Sequence, residues 1–432
     1  MPFTIKIGEG MEIEKKILDL YKSININTMK KIIPFIDFTR KLNKKPPIPL
    51  KEKLCLIPIE DFSSNKVIML HGVSVGEVLS LDNLIKKIKE NFPSHKLVLT
   101  TGTLTGQELA HKKYDKLCDY ITYFPLDIYE AVDKFLSKIN PRVILIAETE
   151  LWPNFALCAK EKNIPLYIIN GRISDKSYPS YLKFRKFFEM ILNFYTGIFC
   201  QSELDKKRFI DLGARKESVE VMKNLKFEIE KKSSDIDLFS QNSKVLIAAS
   251  THKGEDEIVL RTYKKLKSKI KNLKLIIAPR HLTRVDDVYK LTKNYNFKTG
   301  FRTKNDNFSL NDIIILDTLG ELSKVYSIAD VAFIGGSFNK TGGHNPLEAT
   351  IYSKPAVSGP SIKNFRDIYS LLERDKAAFV VKNEREFYEI LEKLLSDDVF
   401  YKTITHNCLN SFKSQQGAVD FVINKLGDIL NN

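Results

Sequence analysis

Cysteine is scarce in this chain, and its few residues lie far apart. No two of them form a C-x-x-C pair, the spacing that is typical of zinc sites and redox motifs. A disulfide framework is not indicated either, and scattered single thiols are typical of a reducing compartment. The cysteines are Cys55, Cys118, Cys158, Cys200 and Cys408.

Long apolar runs are also missing. The first ten residues contain no apolar segment of the kind that a secretory signal peptide needs. No uninterrupted apolar stretch reaches roughly 18 residues, so we expect no transmembrane helix. The sequence therefore predicts a cytoplasmic protein and leaves contact with a membrane surface open.

Acidic residues are outnumbered by basic ones. The 432 residues include 68 Lys and Arg against 53 Asp and Glu, which gives a formal net charge of +15. Such a charge favours anionic partners, namely nucleic acid, acidic lipid or phosphorylated substrates. The alternative is that the lysines simply solvate the outer faces of helices. Because no recognised DNA- or RNA-binding motif occurs, we expect no nucleic-acid partner.

Short apolar runs recur between amphipathic segments along the whole chain. Most runs are continuous rather than alternating, which is the pattern of parallel strands buried on both faces. The segments between them, such as 80–91 and 255–271, have helical spacing with charged outer faces. This alternation predicts a doubly wound α/β fold. The runs are 67–70, 97–100, 143–147, 166–169 and 198–201 in the first half, and 245–249, 273–278, 313–316, 331–334 and 377–381 in the second.

A polar segment at residues 229–243 divides these runs into two sets, and we interpret it as a linker. It separates a Rossmann-like domain at 46–228 from a second one at 244–410. Residues 1–45 form a basic, amphipathic segment, and 411–432 are predicted to form a C-terminal helix that packs against the first half. Since open α/β sheets bind ligands beyond the carboxyl ends of their strands, two such domains predict an interdomain cleft lined by strand-end loops.

Acidic residues follow two predicted strands of the first half. Glu77 would lie in the first turn of the helix after run 67–70. A carboxylate there can act as a general base toward a hydroxyl or simply complement the helix dipole. Glu148 and Glu150 share the loop after run 143–147. Two acids in one loop are unfavourable without partners, which favours a functional role.

Other polar segments of the first half have two interpretations each. Residues 100–106 place hydroxyls and glycines before a helix, which suits phosphate or carboxylate binding, although Thr105 could be an ordinary helix cap. The cluster at 170–174 could contact substrate. Residues 181–195 mix lysines with aromatics, and we predict one helix packed on the sheet. Lys226 could stabilise a leaving phosphate or be a surface lysine.

The strand ends of the second half are rich in glycine and carry a cation. Arg280 follows a predicted strand, and its planar guanidinium could pair with a phosphate. Gly320 would allow close approach of a ligand to the backbone. Gly-Gly pairs at 335–336 and 342–343 bracket a polar loop, and Glu348 beyond it could accept from ribose hydroxyls. This pattern is neither G-x-G-x-x-G nor a Walker A loop, and it predicts a sugar-nucleotide site.

Together these motifs resemble the bacterial 3-deoxy-manno-octulosonic acid (Kdo) transferases. Their order and spacing match that family from about residue 65 to residue 375. Glu-Thr-Glu-Leu-Trp-Pro-Asn at 148–154 and Gly-Gly-His-Asn-Pro-Leu-Glu at 342–348 are highly specific strings. The matching segments are 71–77, 148–154, 170–174, 224–227, 250–255, 279–281, 319–322 and 335–348.

The resemblance implies a GT-B fold and an inverting glycosyltransferase that moves Kdo from CMP-Kdo to the lipid A precursor (lipid IVA) in lipopolysaccharide biosynthesis. It implies no metal and no cofactor apart from the donor substrate CMP-Kdo. The implied location is the cytoplasmic face of the bacterial inner membrane. The motifs leave one alternative open, another GT-B glycosyltransferase with a different nucleotide sugar or acceptor.

The resemblance also implies residue roles. Glu77 would match the catalytic base, and Glu148 and Lys226 the groups that stabilise the transition state. In the implied mechanism Glu77 takes the acceptor proton, and CMP leaves to Arg280 and helix-start N–H groups of the second domain. The CMP-binding positions would be Pro279, Arg280, Leu319, Gly320, Glu321, Asn345, Pro346, Leu347 and Glu348.

The chain departs from the family pattern at two places. Family members often begin with an apolar anchor helix, whereas residues 1–50 here contain ten Lys and Arg against five Asp and Glu. The basic and apolar segment 29–38 predicts peripheral attachment to anionic lipid, at about 1 kcal/mol per basic residue. The family also favours a small residue two positions before Leu225, where this chain has Lys223.

Overall fold

The computed structural model describes residues 12–24, 26–42, 48–232, 236, 238–240, 242–304 and 308–431. The chain divides into two compact units. The first comprises Met1–Glu228 and Gln416–Asn432, and the second comprises Ile229–Gln415. Each unit is an α/β domain built around one parallel sheet.

The strands of the first unit follow the predicted apolar runs and add two short ones. Over the described residues they are β1 (Val67–Gly72), β2 (Lys96–Thr101), β3 (Tyr120–Tyr123), β4 (Val143–Ala147), β5 (Leu166–Gly171), β6 (Gly197–Cys200) and β7 (Val219–Val221). Their order in the sheet is β3-β2-β1-β4-β5-β6-β7, and all neighbours are parallel. β1, β4 and β6 are buried along their whole length, as continuous apolar runs predict.

The strand order reverses between β1 and β4. β2 and β3 lie on one side of β1, while β4 and the later strands lie on the other. The connections that leave β1 and β4 therefore run in opposite directions from two adjacent strand ends. In open α/β sheets such a reversal marks the place where ligands bind.

Helices cover both faces of this sheet. Successive β1 residues point to opposite faces, so Met69 belongs to one apolar core, and Ile68 and Leu70 belong to the other. The helices are α1 (Glu12–Lys22), α2 (Ile26–Leu42), α3 (Leu50–Lys53), α4 (Val75–Ser80), α5 (Asp82–Asn91), α6 (Leu104–Tyr114), α7 (Tyr129–Ile139), α8 (Pro153–Glu161), α9 (Tyr178–Lys183), α10 (Arg185–Leu192) and α11 (Glu203–Asp211).

The second unit repeats the same plan. Its strands, among the described residues, are β8 (Lys244–Thr251), β9 (Leu273–Pro279), β10 (Thr299–Phe301), β11 (Ile313–Ile315), β12 (Val331–Ile334), β13 (Ala356–Ser358) and β14 (Ala378–Val380). The parallel sheet has the order β10-β11-β9-β8-β12-β13-β14. Its order reverses between β8 and β12, so a second ligand-binding position is expected there.

The helices of the second unit end with two long ones near its carboxyl terminus. They are α12 (Glu255–Lys269), α13 (Val285–Asn294), α14 (Leu322–Val325), α15 (Leu347–Thr350), α16 (Arg366–Arg374), α17 (Glu384–Ser396) and α18 (Asp398–Ser414). A final helix, α19 (Ala418–Asn431), belongs to the first unit and packs against α5. The Glu228 carboxylate accepts from the N–H groups of Gly417 (2.6 Å) and Ala418 (2.7 Å) and so holds the start of α19.

Part of the predicted membrane-contact segment lies outside the described residues. This applies to residues 1–11, 25 and 43–45, to the side chains at 12–15, and to the side chains at 30, 33–35, 37 and 38 within the segment 29–38. The backbone of 29–38 lies in α2. No helix in the described part of the chain is long and apolar enough to cross a bilayer.

The prediction of one helix over 181–195 was wrong. The structure has α9 and α10 there, with a break at Phe184, whose φ and ψ are −112° and 30°. This break matters for the site, because aromatic side chains from both short helices line a cavity next to the acidic loop after β4.

Candidate active site

Three carboxylates and one lysine meet at the carboxyl ends of β1 and β4. Glu77 lies in the first turn of α4, after β1, and Glu148 and Glu150 lie in the loop after β4. Lys226 is contributed by a short 3-10 turn, Leu225–Phe227, which follows β7. The structure thus brings together the three residues for which the sequence predicted catalytic roles.

Glu77 is held against the start of its own helix. Its carboxylate accepts hydrogen bonds from the Val73 backbone N–H (2.6 Å) and the Ser74 hydroxyl (3.0 Å). Burial, reinforced by the negative charge of Glu148, raises the pKa of Glu77 above its ordinary value. A carboxylate with a raised pKa is a better proton acceptor than a solvated one.

Glu148 forms an ion pair with Lys226. The distance between Lys226 Nζ and Glu148 Oε1 is 2.7 Å. The two side chains are only 28% and 24% exposed, so Lys226 is not one of the solvated surface lysines of this basic protein. Its positive charge also acts on Glu77 and opposes the rise of the pKa of that carboxyl.

Buried amides hold the turn that carries Lys226. Asn170, at the end of β5, accepts from the Leu225 backbone N–H through its side-chain oxygen (3.0 Å). The Asn224 side-chain oxygen accepts from the Lys226 backbone N–H (2.9 Å), and the Asn224 amide donates to Gln201 (3.1 Å). The predicted polar cluster at 170–174 therefore includes a residue that positions the lysine.

The backbone around this site is strained at three non-glycine residues. The φ angles of Glu148, Asn170 and Lys223 are 62°, 55° and 71°. Each left-handed residue of this kind costs roughly 1–2 kcal/mol, and such residues cluster at functional sites. At Lys223 a glycine would adopt this left-handed conformation without the steric cost.

A cavity of about 410 Å³ opens beside the acidic loop. Its walls are mostly aromatic and aliphatic, with Glu150 as the charged group. They are formed by Thr149, Glu150, Leu151, Trp152, Pro153, Tyr181, Phe187, Phe188 and Ile191. Sequence analysis did not find this cavity, because its two walls come from α9–α10 and from a loop after a different strand.

One cavity wall is anchored by a buried acid that the sequence analysis missed. The Asp127 carboxylate accepts from the backbone N–H groups of Asn154 (3.1 Å) and Phe155 (2.7 Å) at the start of α8. Burial raises the pKa of Asp127 to about 6. Nothing in the local sequence distinguishes this residue from a surface acid, since its partners lie 27 and 28 positions away.

Glu150 is poorly stabilised as an anion. Burial, followed by the negative charges of Glu77 and Glu148, raises the pKa of Glu150 to about 7. The ordinary pKa of an unfolded Glu is about 4.3. Ionisation of Glu150 therefore favours the unfolded state, and the protein loses stability as the pH rises from about 4 to about 7.

Replacing Glu150 with Gln is expected to remove this loss. The free energy of unfolding should rise by about 1–2 kcal/mol at pH 8, a value discounted for partial solvent access, and should change little at pH 4.5. Urea unfolding followed by fluorescence is the measurement, because Trp152 is the only tryptophan and lies in the same loop. Glu90→Gln, at a 61% exposed side chain, is the control. An equal effect of Glu150→Gln at both pH values would contradict the assigned pKa.

In the second unit, one buried carboxylate joins the loops that follow β8 and β12. Glu255 is 1% exposed. It accepts from the backbone N–H groups of His252 (2.9 Å), Gly336 (2.7 Å), Ser337 (2.8 Å) and Phe338 (2.9 Å). Glu255 ends the matching segment 250–255, but no role was predicted for it from the sequence. The structure makes it the group that shapes the glycine-rich loop.

The predicted CMP-binding residues lie at this edge of the second sheet, at the end of β9, in loops and in α15. Pro279 ends β9, and the exposed guanidinium of Arg280 forms no ion pair with a described residue. Burial raises the pKa of Glu348, and the positive charges of Lys232 and Arg280 oppose that rise. Arg280 and Glu348 are therefore close enough to interact.

The remaining predicted nucleotide contacts are at the ends of β11 and β12. Leu319 is 82% exposed, and Gly320 has the left-handed φ of 84° that its glycine allows. Glu321 accepts from the Arg302 guanidinium (3.1 Å). After β12, the side-chain oxygen of Asn345 accepts from the Leu347 N–H (3.0 Å), which starts α15 directly after Pro346. Among the described residues, no group of three or more His, Cys, Asp or Glu could hold a metal ion.

Comparison with known proteins agrees with these motifs. The family model described as 3-deoxy-D-manno-octulosonic-acid transferase (kdotransferase) matches residues 49–229. The 3-deoxy-D-manno-octulosonic acid transferase of Haemophilus influenzae is 34% identical over 339 residues, which is 76% of this chain and 79% of that protein. The chain belongs to the Kdo transferase family. The resemblance inferred from the motifs is thereby confirmed.

Two further similarities concern architecture. A bifunctional glycosyltransferase/methyltransferase of Fusobacterium nucleatum is 37% identical over 385 residues. The match covers 86% of the present chain but only 59% of the length of the Fusobacterium protein. The UDP-GlcNAc 2-epimerase of Neisseria meningitidis is 15% identical, with a TM-score of 0.56 over 85% of this chain and 100% of that one. The second likeness, together with the two parallel sheets, confirms the predicted GT-B fold of two Rossmann-like domains.

Proposed function

We propose that this protein is an inverting glycosyltransferase that moves Kdo from CMP-Kdo to the lipid A precursor lipid IVA. The observation that carries the proposal is the cluster of Glu77, Glu148 and Lys226 in a member of the Kdo transferase family. This cluster combines a carboxylate of raised pKa with a fixed cation at the ligand-binding edge of a sheet.

The reaction is a single displacement at the anomeric carbon. Glu77 accepts the proton of the acceptor hydroxyl, whose oxygen forms the new bond to Kdo. The bond between the anomeric carbon and the phosphate oxygen breaks on the opposite face, so the configuration inverts. Lys226, held by Glu148, stabilises negative charge that develops in the transition state.

The second unit binds the nucleotide in this proposal. The guanidinium of Arg280 forms no ion pair with a described residue, so it can pair with the phosphate through its planar arrangement of N–H donors. Glu348 accepts from the ribose hydroxyls, and the exposed backbone at Leu319 and Gly320 contacts the base or sugar. The chemistry requires no metal or cofactor, because Lys226 and Arg280 supply the positive charge.

A lipid acceptor is supported by the cavity next to Glu150. Aromatic walls such as those of Trp152, Phe187 and Phe188 suit apolar parts of a ligand, and the adjoining carboxylates suit the hydroxyl that reacts. A lipid acceptor places the enzyme at a membrane, and we assign it to the cytoplasmic face of the inner membrane. The basic segment 29–38 is the proposed peripheral contact.

The test is direct transfer in vitro. Purified full-length protein is mixed with CMP-Kdo and a tetraacyl disaccharide bisphosphate in the presence of EDTA, and the lipid product is followed by mass spectrometry. A product heavier by one or more Kdo units is expected. If the protein binds CMP but forms no product, the acceptor assignment fails and other acceptors and donors of GT-B enzymes must be screened. If it does not bind CMP, the donor assignment fails as well.

A further inference from the structure

Three of the seven histidines of the chain meet at the edge of the second sheet. His252 follows β8, His281 follows β9, and His344 lies in the glycine-rich loop after β12. The His252 and His344 rings stack at a centroid distance of 5.2 Å, and His281 meets His252 edge-on at 5.8 Å. None of the three is among the predicted nucleotide contacts.

His252 and His344 share a hydrogen bond. Their Nε2 atoms are 2.9 Å apart, so one nitrogen donates and the other must keep its lone pair. The pair can therefore carry at most one additional proton without losing this bond. The His344 ring also packs closely over Gly336, because a Cβ at that position would lie only 3.0 Å from the ring.

Most charged groups around the His252–His344 pair already form hydrogen bonds or ion pairs with other residues. Glu255 accepts four backbone N–H groups, and Arg284 pairs with Asp256. Arg280 is the cation of this group that forms no ion pair with a described residue. His281, exposed at the rim, is the other titratable group that acts on both rings.

These surroundings keep the pair neutral when no anion is bound. Burial, followed by the positive charges of Arg280 and the neighbouring histidines, lowers the pKa of His344 to about 4. Burial is also the main cause that lowers the pKa of His252, against the opposing charge of Glu255. A phosphate bound at Arg280 would offset the positive charge of that residue, and an adjacent histidine would become easier to protonate.

We propose that His252, His281 and His344 bind, together with Arg280, the phosphate of the nucleotide donor, and that the His252–His344 pair takes up one proton from solvent when this phosphate binds. The proposal rests on the proposed function, which supplies the nucleotide. The proton is released again when CMP dissociates. During transfer, the protonated pair neutralises the charge that the departing phosphate oxygen gains when its bond to the anomeric carbon breaks.

The experiment is titration calorimetry of the full-length protein with CMP between pH 6 and pH 8. Each pH is measured in two buffers of different ionisation enthalpy, which yields the number of protons taken up. Wild type should take up protons, and its affinity should fall by up to about tenfold per pH unit as the pH rises. In His344→Asn and His252→Asn, the proton uptake should fall by up to one proton relative to wild type, and the affinity at pH 6.5 should fall by about tenfold.

Two controls identify the source of the effect. His406→Asn, at an exposed position of α18, should behave as wild type. The titration of CMP itself is common to all proteins, so it cancels when the histidine variants are compared with wild type. Cytidine, which lacks the phosphate, should bind all variants equally. His281→Asn, which replaces a rim residue and should not disturb folding, should weaken CMP but not cytidine.

The outcomes separate the two proposals. If wild type binds neither CMP nor cytidine, the proposed function fails. If wild type binds CMP without proton uptake and the histidine variants match it, the phosphate subsite is wrong while the proposed function stands. If the variants lose CMP and cytidine equally in a folded protein, confirmed by its melting temperature, the histidines do not act on the phosphate and the inference is overturned.

Discussion

Glu77→Gln is expected to slow Kdo transfer by about 10²- to 10⁴-fold, the usual contribution of a general base. Gln has almost the same shape and can still accept the Val73 N–H, so the start of α4 should persist. It cannot accept a proton from the acceptor hydroxyl. The measurement is the initial rate of lipid product at saturating CMP-Kdo, together with the affinity for CMP, which should not change.

Glu90→Gln is the matched control for this substitution. Glu90 lies on the next helix, α5, and its side chain is 61% exposed, so its loss should leave the rate unchanged. In wild type the rate should fall as the pH is lowered through the raised pKa of Glu77, since only the ionised carboxylate accepts a proton. A Glu77→Gln enzyme that retains a large share of the wild-type rate would exclude Glu77 as the base.

The second large effect is expected for Lys226→Met, at about 10²- to 10³-fold in rate. Methionine fills a similar volume but removes the cation that faces Glu148 at 2.7 Å. Glu148 then loses its ion-pair partner, and Glu77 loses the positive charge that opposes the rise of its pKa. The transition state should be less stabilised, and a smaller fraction of Glu77 should be ionised at a given pH.

The pH profile of Lys226→Met distinguishes an electrostatic role from simple loss of structure. Removing the positive charge should raise the pKa of Glu77 further, so the acid limb of the rate profile should move to higher pH. Lys226→Arg retains the charge and should keep the wild-type limb, although its planar head group fits the site less well. A uniform loss of rate in Lys226→Met with an unmoved limb would argue against this coupling.

The buried strands of both sheets were predictable because their sequences allow few alternatives. β4 and the first four residues of β1 are continuous apolar runs, every residue of both strands is buried, and such runs are typical of central parallel strands. β3, β7 and β10 were missed. They are short and only partly buried, so their sequences lack an apolar run. β13 is buried but contributes only three residues, too few for a periodic signal.

The helix prediction over 181–195 failed for a related reason. Its aromatic and basic residues have helical spacing throughout, but Phe184 adopts a non-helical backbone that separates α9 from α10. The aromatic side chains then face the loop after β4 and form a cavity wall. The spacing of residues within 181–195 cannot show that the loop after β4 lies against them in the fold.

Local sequence patterns were enough to predict two parallel α/β domains, the membership of the Kdo transferase family and the polar residues that follow the strands. These conclusions depend on apolar runs and motif strings, which are local properties of the chain. The folded chain was needed to show that Lys226 pairs with Glu148 across 78 positions and that three histidines meet beside Arg280. Those contacts follow from the strand order, which places β1 beside β4 and β8 beside β12, and from the left-handed backbone at Glu148 and Asn170. Both arise from pairing between distant segments, so no local pattern could have specified them.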